Sequence, residues 1–129
     1  MSKEQLYIFD TTLRDGAQTQ GVDFSIDDKE KISSALDLLG VDYVEGGWPG
    51  ANPTDTEFFN KDHNFKSTKL TAFGMTKKSE HSAENDPMLS SLINSKSSSV
   101  CLFGKSWDFQ VKVALGITND QNLKNISES

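Results

Sequence analysis

The chain has 129 residues, a net charge of −6 at pH 7 and one cysteine, Cys101. The acidic balance argues against a nucleic-acid-binding surface, and a single cysteine excludes a disulfide within the chain. The start is polar and no apolar run is long enough to cross a membrane, so we expect a soluble, cytoplasmic protein that binds neither nucleic acid nor a membrane.

The first strand and helix are predicted within residues 6–40. Residues 6–9 form an apolar run with aromatic and β-branched members, which predicts a buried strand. Ser25 suits the N-cap of a helix with acids in its first turn, and Gly40 can end that helix. The apolar residues between them recur at helical spacing and predict its buried face: Ile32, Leu36 and Leu39.

A second strand and helix follow. Residues 41–45 predict the strand, and residues 48–53 predict a loop because they are rich in Gly and Pro. Pro53 suits the first position of a helix. That helix would carry Phe58 and Phe59.

The second half of the chain repeats this alternation. Residues 69–75 and 99–103 predict the third and fourth strands. Between them lie a polar loop and a short helix over residues 87–94. The inward residues of that helix would be Leu89, Leu92 and Ile93. Residues 107–115 predict another helix, and Thr118 fits a capping box that opens a last one.

Strands therefore recur about every 30 residues with helices between them, which is the rhythm of βαβ units and a parallel sheet. Such a sheet can be open or closed into a barrel, and a (β/α)₈ barrel has about 250 residues. The chain supplies about half of that length and only 35% of its residues are hydrophobic. It also stops within the alternating pattern, so we expect a fragment.

The stretch DTTLRDGAQTQG follows the first predicted strand. Ligands of parallel α/β folds gather at the carboxyl ends of strands. Asp15 offers hard oxygen atoms suited to Mg²⁺, Mn²⁺ or Zn²⁺, and Arg14 offers a rigid fork of donors suited to an anion or a developing oxyanion. On these residues alone a loop ion pair is the simpler interpretation, and a metal-and-oxyanion site is the alternative.

Three stretches resemble one known family. DTTLRDGAQ resembles the signature of the DRE-TIM metallolyase superfamily, which includes the isopropylmalate, homocitrate and citramalate synthases and the hydroxymethylglutaryl-CoA lyases. GVDYVEGGWPGANPTDTEFF and LFGKSWDFQVKVAL resemble the citramalate synthase branch. The resemblance runs from about residue 6 to residue 129. It implies an α/β fold that is the amino-terminal half of a (β/α)₈ TIM barrel, with about four βα units and parallel strands.

The same resemblance implies that residues 1–129 form a partial, pyruvate carboxyltransferase-like catalytic domain that is truncated on its carboxyl-terminal side. Asp15 matches the metal-binding aspartate, and Arg14 matches a catalytic arginine that faces the keto-acid oxygen and the enolate. Glu45 matches a catalytic acid near the metal, and Gln18 matches a polar residue of the substrate pocket. Phe73 fits either the core or an apolar wall that selects a methyl-bearing keto acid, and we include it among the substrate-binding candidates.

The implied reaction is a metal-dependent Claisen condensation of acetyl-CoA with pyruvate that gives citramalate, in isoleucine biosynthesis. The divalent ion would be Mg²⁺, Mn²⁺ or Zn²⁺, and the family's His-x-His ligand pair is missing from this sequence. Gln110 stands where the family often has a histidine. We therefore expect the isolated chain to be inactive and poorly folded, and the full-length protein to be a homodimer.

Two alternatives remain at this point. The chain can belong to a 2-isopropylmalate synthase of the same family, which acts on a branched keto acid in leucine biosynthesis. It can also be a non-catalytic half-barrel that pairs with another half, or with itself, through its exposed sheet edges.

Overall fold

A four-stranded sheet lies at the centre of the structure, a computed structural model that describes residues 4–129. The strands are β1 (Phe9–Asp10), β2 (Tyr43–Gly47), β3 (Lys69–Met75) and β4 (Ser99–Phe103). They pair in chain order, and every pair is parallel. A doubly wound sheet reverses its strand order at a switch point, whereas a barrel adds strands in chain order. The predicted α/β fold with four βα units is confirmed.

Helices follow each strand. They are α1 (Ile26–Leu39), α2 (Pro53–Asn60), α3 (Pro87–Ile93), α4 (Asp108–Gln110) and α5 (Asn119–Glu128). A π-helical segment, Val111–Leu115, continues α4. Within residues 4–129 none of the helices combines the length and the apolar character that crossing a membrane requires.

The helix ends follow the sequence signals. Ser25 and Asp28 form a capping box at the start of α1, and Gly40 ends that helix with a φ of +86°. Pro53 occupies the first turn of α2. Thr118 caps α5 through the backbone N–H of Gln121.

The strands agree with the sequence less evenly. Strands β3 and β4 begin and end at the predicted residues, whereas β2 lies two residues later than predicted. The prediction of a buried first strand is wrong. Strand β1 consists of Phe9–Asp10 alone, although the Ile8 carbonyl also accepts the Tyr43 N–H at 3.0 Å. Leu6, Tyr7 and Ile8 are 86%, 62% and 60% exposed. The physical reason is that β1 lies at an edge of the sheet, where it has a neighbour on one side alone.

The core packs between the sheet and helices α1 to α3. Gly46 lies in β2 where an added Cβ would come within 2.8 Å of the Phe58 ring, so glycine lets the two phenylalanines of α2 pack directly on the sheet. The buried apolar cluster is Leu13, Val41, Val44, Phe58, Phe59, Leu70, Ala72, Leu89 and Leu92.

Two residues predicted to point inward are exposed instead. Leu39 in α1 and Ile93 in α3 are 76% and 80% exposed. The buried face of α1 is polar at its centre because Lys29, Ser33 and Asp37 follow one another every fourth residue along it. Leu39 therefore lies off that face, and Ile93 lies beside the buried Leu92 on a short helix that contacts the sheet along one face.

Candidate active site

The loop after β1 holds Arg14 at the carboxyl edge of the sheet. The backbone N–H groups of Arg14 and Gly16 both donate to the Thr11 carbonyl, at 3.1 and 3.2 Å. The Asp10 carboxylate accepts hydrogen bonds from the N–H and the hydroxyl of Thr12 at 2.9 and 3.1 Å. These bonds close a tight turn directly after the strand and fix where the Arg14 side chain begins.

The Arg14 guanidinium joins two carboxylates. Its Nε donates to Glu45 Oε2, and its Nη2 donates to Asp15 Oδ2 at 2.9 Å. The Glu45 side chain is 2% exposed and that of Asp15 is 52% exposed. The Glu45 side of the cluster is therefore buried in the protein interior, whereas the Asp15 side is accessible to a ligand. The structure brings these three predicted site residues together.

An aromatic side chain supports the guanidinium from β3. The Phe73 ring lies under Arg14, with the guanidinium carbon 4.0 Å from the ring centroid. Trp48 meets Phe73 edge to face at 5.4 Å between ring centroids. Such a cation–π contact favours one plane for the guanidinium. Phe73 is therefore a neighbour of Arg14 as well as a residue of the packed sheet.

A cavity of about 500 Å³ opens beside this cluster. Arg14, Gln18 and Phe73 line it, together with Trp48 from the loop after β2. Its size is that of a small-molecule site. Glu45 lies behind Arg14, outside the lining, so its contact with a ligand in this cavity would run through the guanidinium.

Comparison with known proteins identifies the family. The HMGL-like family model matches residues 5–129. The chain belongs to the HMGL-like family. The resemblance to the DRE-TIM metallolyases is confirmed, and so is the barrel fold class, because HMGL-like domains are TIM barrels.

Two kinds of synthase are among the relatives of this HMGL-like chain. It is 50% identical to the (R)-citramalate synthase of Aquifex aeolicus over 128 residues, which are 98% of the chain and 24% of that enzyme. It is 46% identical to the (R)-citramalate synthase of Sulfolobus acidocaldarius, covering 100% of the chain and 25% of the enzyme. The 2-isopropylmalate synthase 1 of Caldanaerobacter subterraneus subsp. tengcongensis is 35% identical, over 99% of the chain and 32% of the enzyme. The chain thus spans about a quarter of the length of the citramalate synthases it matches.

HMGL-like synthases generally depend on a divalent metal and use acetyl-CoA. Asp15 fits one position of such a donor set, because its half-exposed carboxylate presents hard oxygen atoms next to Arg14, which lines the cavity. Across residues 4–129 no three His, Cys, Asp or Glu side chains lie close enough together to hold an ion. Asp15 as a metal ligand stays a prediction.

Sequence reasoning missed two residues at this site, Lys29 and Asp55. Both line the cavity, and both are nearly buried. Lys29 lies in the charged run DDKEK, which has the composition of a solvated helix face. The sequence signal that could have drawn attention to Asp55 is the glycine pair Gly46-Gly47, which marks a close approach to the backbone.

The single cysteine is a further neighbour of the cluster. Burial, followed by the negative charge of Glu45 and a hydrogen bond to it, raises the pKa of the Cys101 thiol. Cys101 is half-buried rather than fully buried. Two residues that follow β4, Lys105 and Trp107, are not among the residues that line the Arg14 cavity; Trp107 is 57% exposed and packs on Phe109.

Proposed function

We propose that the chain provides the arginine-bearing part of an enzyme that condenses acetyl-CoA with pyruvate to give (R)-citramalate. The observation that supports this most is the fixed Arg14 guanidinium at the mouth of a small cavity. The high identity to (R)-citramalate synthases, over nearly the whole chain, adds the substrate class.

Arg14 would bind and stabilise the reacting oxygen. A guanidinium has five N–H donors, and the described hydrogen bonds use one on Nε and one on Nη2. The remaining donors can bind the ketone oxygen of the keto acid. A base of the complete enzyme would first take a proton from the methyl group of the acetyl thioester. As the resulting enolate carbon forms the new C–C bond, the C=O π bond of the ketone opens and its oxygen becomes an alkoxide, which fixed donors stabilise most before it takes up a proton. Hydrolysis of the thioester by water releases CoA.

Asp15 would supply one carboxylate ligand to a divalent ion whose other ligands come from outside residues 4–129. The ion, when bound, supplies Lewis acidity toward the keto-acid oxygens. Glu45 would keep the guanidinium oriented and compensate its charge from the buried side. Gln18, which also lines the cavity, would contribute a polar contact to the substrate.

Phe73 and Trp48 would set the choice of keto acid. Their rings form the apolar part of the cavity next to Arg14, where the methyl group of pyruvate would lie. A 2-isopropylmalate synthase has to accept a branched keto acid in this place. The chain is 40–50% identical to (R)-citramalate synthases and 30–35% identical to 2-isopropylmalate synthases, which favours pyruvate. A role in isoleucine biosynthesis, a homodimer and a cytoplasmic location belong to this proposal.

A hybrid enzyme tests the proposal. The matching amino-terminal segment of the Aquifex aeolicus (R)-citramalate synthase is replaced by this chain, and citramalate formed from pyruvate and acetyl-CoA is measured beside isopropylmalate formed from 2-oxoisovalerate. We expect citramalate as the main product and a loss of activity when a chelator removes the metal. Isopropylmalate as the main product would assign the chain to the other branch.

Arg14→Lys supplies the mutational control for the hybrid. It keeps the charge but loses the fork that serves Glu45, Asp15 and the substrate at once, so we expect kcat to fall about 100-fold. Lys124→Arg on the exposed face of α5 should leave kcat unchanged. Full activity of Arg14→Lys would contradict the role given to the guanidinium.

A further inference from the structure

One buried lysine connects the loop that holds Arg14 with the strand that holds Glu45. Lys29 lies in α1 and is 2% exposed. Its Nζ donates to the Leu13 carbonyl at 3.1 Å and to the Gly46 carbonyl at 2.8 Å, and it also donates to Asp55 Oδ1. Leu13 directly precedes Arg14, and Gly46 directly follows Glu45. A single ammonium group thus links the backbone beside both members of the Arg14–Glu45 pair.

The ammonium has no proton left for a substrate. A lysine side chain has three donors, and Leu13, Gly46 and Asp55 accept all three. Lys29 lines the cavity, but its bonds run to the protein. Its role is therefore to place other groups rather than to contact a reacting atom.

Asp55 connects the Lys29 ammonium to the two aromatic residues beside Arg14, Trp48 and Phe73. Its Oδ2 accepts from the backbone N–H of Trp48 and from Asn52 Nδ2, each at 2.9 Å. Trp48 packs on Phe73, whose ring supports the Arg14 guanidinium. The Lys29–Asp55 pair thus fixes two separate supports of Arg14, its own loop and the ring beneath it.

The backbone of β2 leaves room for this arrangement. Gly47 has a φ of +138°, and a Cβ at this position would lie 2.5 Å from the carboxyl carbon of Asp55. A side chain at position 47 would therefore displace Asp55. The close approach of the Asp55 carboxylate to the backbone therefore requires a glycine at position 47 of the strand.

We propose that Lys29 and Asp55 are positioning residues that hold Arg14 against Glu45 for the proposed condensation. The inference rests on the proposed function for its chemical meaning, although the placement itself can be measured without any reaction. Stability alone does not require the pair, because apolar side chains often replace a buried ion pair at little cost. What apolar side chains cannot do is bind the two carbonyl groups next to Arg14 and Glu45.

The test uses the Nε–H signal of Arg14 in ¹⁵N nuclear magnetic resonance of the 129-residue chain. Arg14 is the only arginine in the sequence, so this signal needs no further assignment. Its exchange rate with water reports the hydrogen bond from Nε to Glu45. The test variant is Lys29→Met with Asp55→Asn, which removes both charges together and leaves an amide oxygen for the Trp48 N–H.

A second buried lysine, whose carboxylate partner is partly exposed, provides the control. Lys77 is 5% exposed, and its Nζ bonds to the His81 carbonyl, Asn125 Oδ1 and Glu128 Oε2 at 3.0, 3.2 and 3.0 Å. Like Lys29, it donates to a backbone carbonyl and to a carboxylate. It lies at another cavity, which is lined mainly by residues 75–88 and 114–125. The control variant is Lys77→Met with Glu128→Gln.

The buried apolar cluster on β2 and β3 leads us to expect, in contrast to the expectation from the sequence alone, that this part of the chain is folded. The Arg14 Nε–H should then exchange slowly in the unmodified chain, about tenfold faster in Lys29→Met/Asp55→Asn, and within about twofold of the unmodified rate in the control. Equal rates in the test variant and the unmodified chain would overturn the inference, as would equal acceleration in the control or rapid exchange in the unmodified chain. If the test variant unfolds, the Nε–H exchange rate is measured in Asp55→Asn alone and judged in the same way. If both variants unfold, the Lys29–Asp55 pair is needed for folding, and the inference is overturned. Absence of citramalate from the hybrid enzyme would refute the proposed function and leave this measurement unaffected.

Discussion

At the scale of single residues, Arg14 makes three contacts at once that no lysine of the chain could replace. It meets Glu45 through Nε, Asp15 through Nη2 and Phe73 through its flat face. A lysine could not reproduce the contact with Phe73 in the same way, because its ammonium is a compact charge without a flat face. The site therefore depends on the shape of the guanidinium as much as on its charge.

The thiol beside this cluster provides a probe of Glu45. Burial and the nearby Glu45 raise the Cys101 pKa, so the thiolate forms only at a higher pH than in an ordinary cysteine. Glu45→Gln removes the negative charge, and we expect the pH profile of iodoacetamide alkylation to shift to lower pH. Because Cys101 is the only cysteine, the measured rate belongs to one site.

The control for this prediction is Lys105→Gln, which changes a charge near the end of β4 that does not contribute to the Cys101 shift. Its alkylation profile should match that of the unmodified chain. An unchanged profile in Glu45→Gln would mean that the carboxylate and the thiol do not interact.

Removal of Lys29 alone should be costly. Lys29→Met leaves Asp55 charged, nearly buried and without its cation, and we expect the free energy of unfolding to fall by about 3–5 kcal/mol. Urea denaturation followed by circular dichroism measures this loss. The exposed Lys124→Met should change the free energy by at most about 0.5 kcal/mol. A loss of that small size in Lys29→Met would show that Asp55 is solvated.

At the scale of elements, α1 is attached to the segment that leads into β3. The Asp37 carboxylate accepts backbone N–H groups of Lys66, Ser67 and Thr68 at 2.8, 3.1 and 2.9 Å. These bonds, foremost that from Lys66, hold the Asp37 pKa well below its ordinary value. One side chain of α1 therefore fixes the residues at which the third βα unit begins.

The Asp37 contacts predict a dependence of stability on pH. Because its pKa is lower in the folded state, Asp37 contributes stability fully above its unfolded pKa of about 3.9 and loses it as pH falls toward the folded value. Asp37→Asn should therefore be less stable than the unmodified chain at neutral pH. The difference between the two should shrink below about pH 4. Urea midpoints at both pH values measure it, and a difference independent of pH would refute the assignment.

The elements also show what the sequence could predict and what it could not. The capping boxes at Ser25 and Thr118 and the limits of β3 and β4 depend on neighbours within a few residues, and they were predictable. The exposure of residues 6–8 depends on which strand lies beside β1. Lys29 and Asp55 are 26 residues apart, and no local sequence pattern predicts that their side chains form an ion pair. The roles proposed for Arg14 and Asp15 rest on the family motif, because their spacing alone also fits a loop ion pair.

At the scale of the whole molecule, the sheet described by residues 4–129 has two edges, β1 and β4. Apolar side chains are exposed along both: Leu6, Tyr7, Ile8 and Phe9 at one edge, and Val100, Leu102 and Phe103 at the other. Unpaired edges with exposed apolar residues promote association with other strands. The half-barrel alternative and the enzyme proposal both require such edges to be covered.

The open edges predict that the isolated chain associates. We expect it to elute from a sizing column above the mass of a monomer, and Leu102→Lys should reduce that association because a charge on an edge strand disfavours pairing. Leu38 of α1 is 77% exposed and lies away from the sheet edges, so Leu38→Lys should have no such effect. A discrete dimer would favour the half-barrel module, and heterogeneous aggregates would favour the enzyme proposal. A monomer would show that the sheet edges do not need to be covered.

The compactness of the Arg14 cluster along the chain has a consequence for synthesis. Arg14, Lys29, Glu45 and Asp55, with the carbonyl groups that Lys29 binds, all lie between residues 13 and 55. A ribosome adding about 5–20 residues per second completes that stretch before it reaches the first residue of β3. The residues of the ion pairs are therefore all available on the nascent chain as soon as this stretch leaves the exit tunnel, and Phe73 emerges after them.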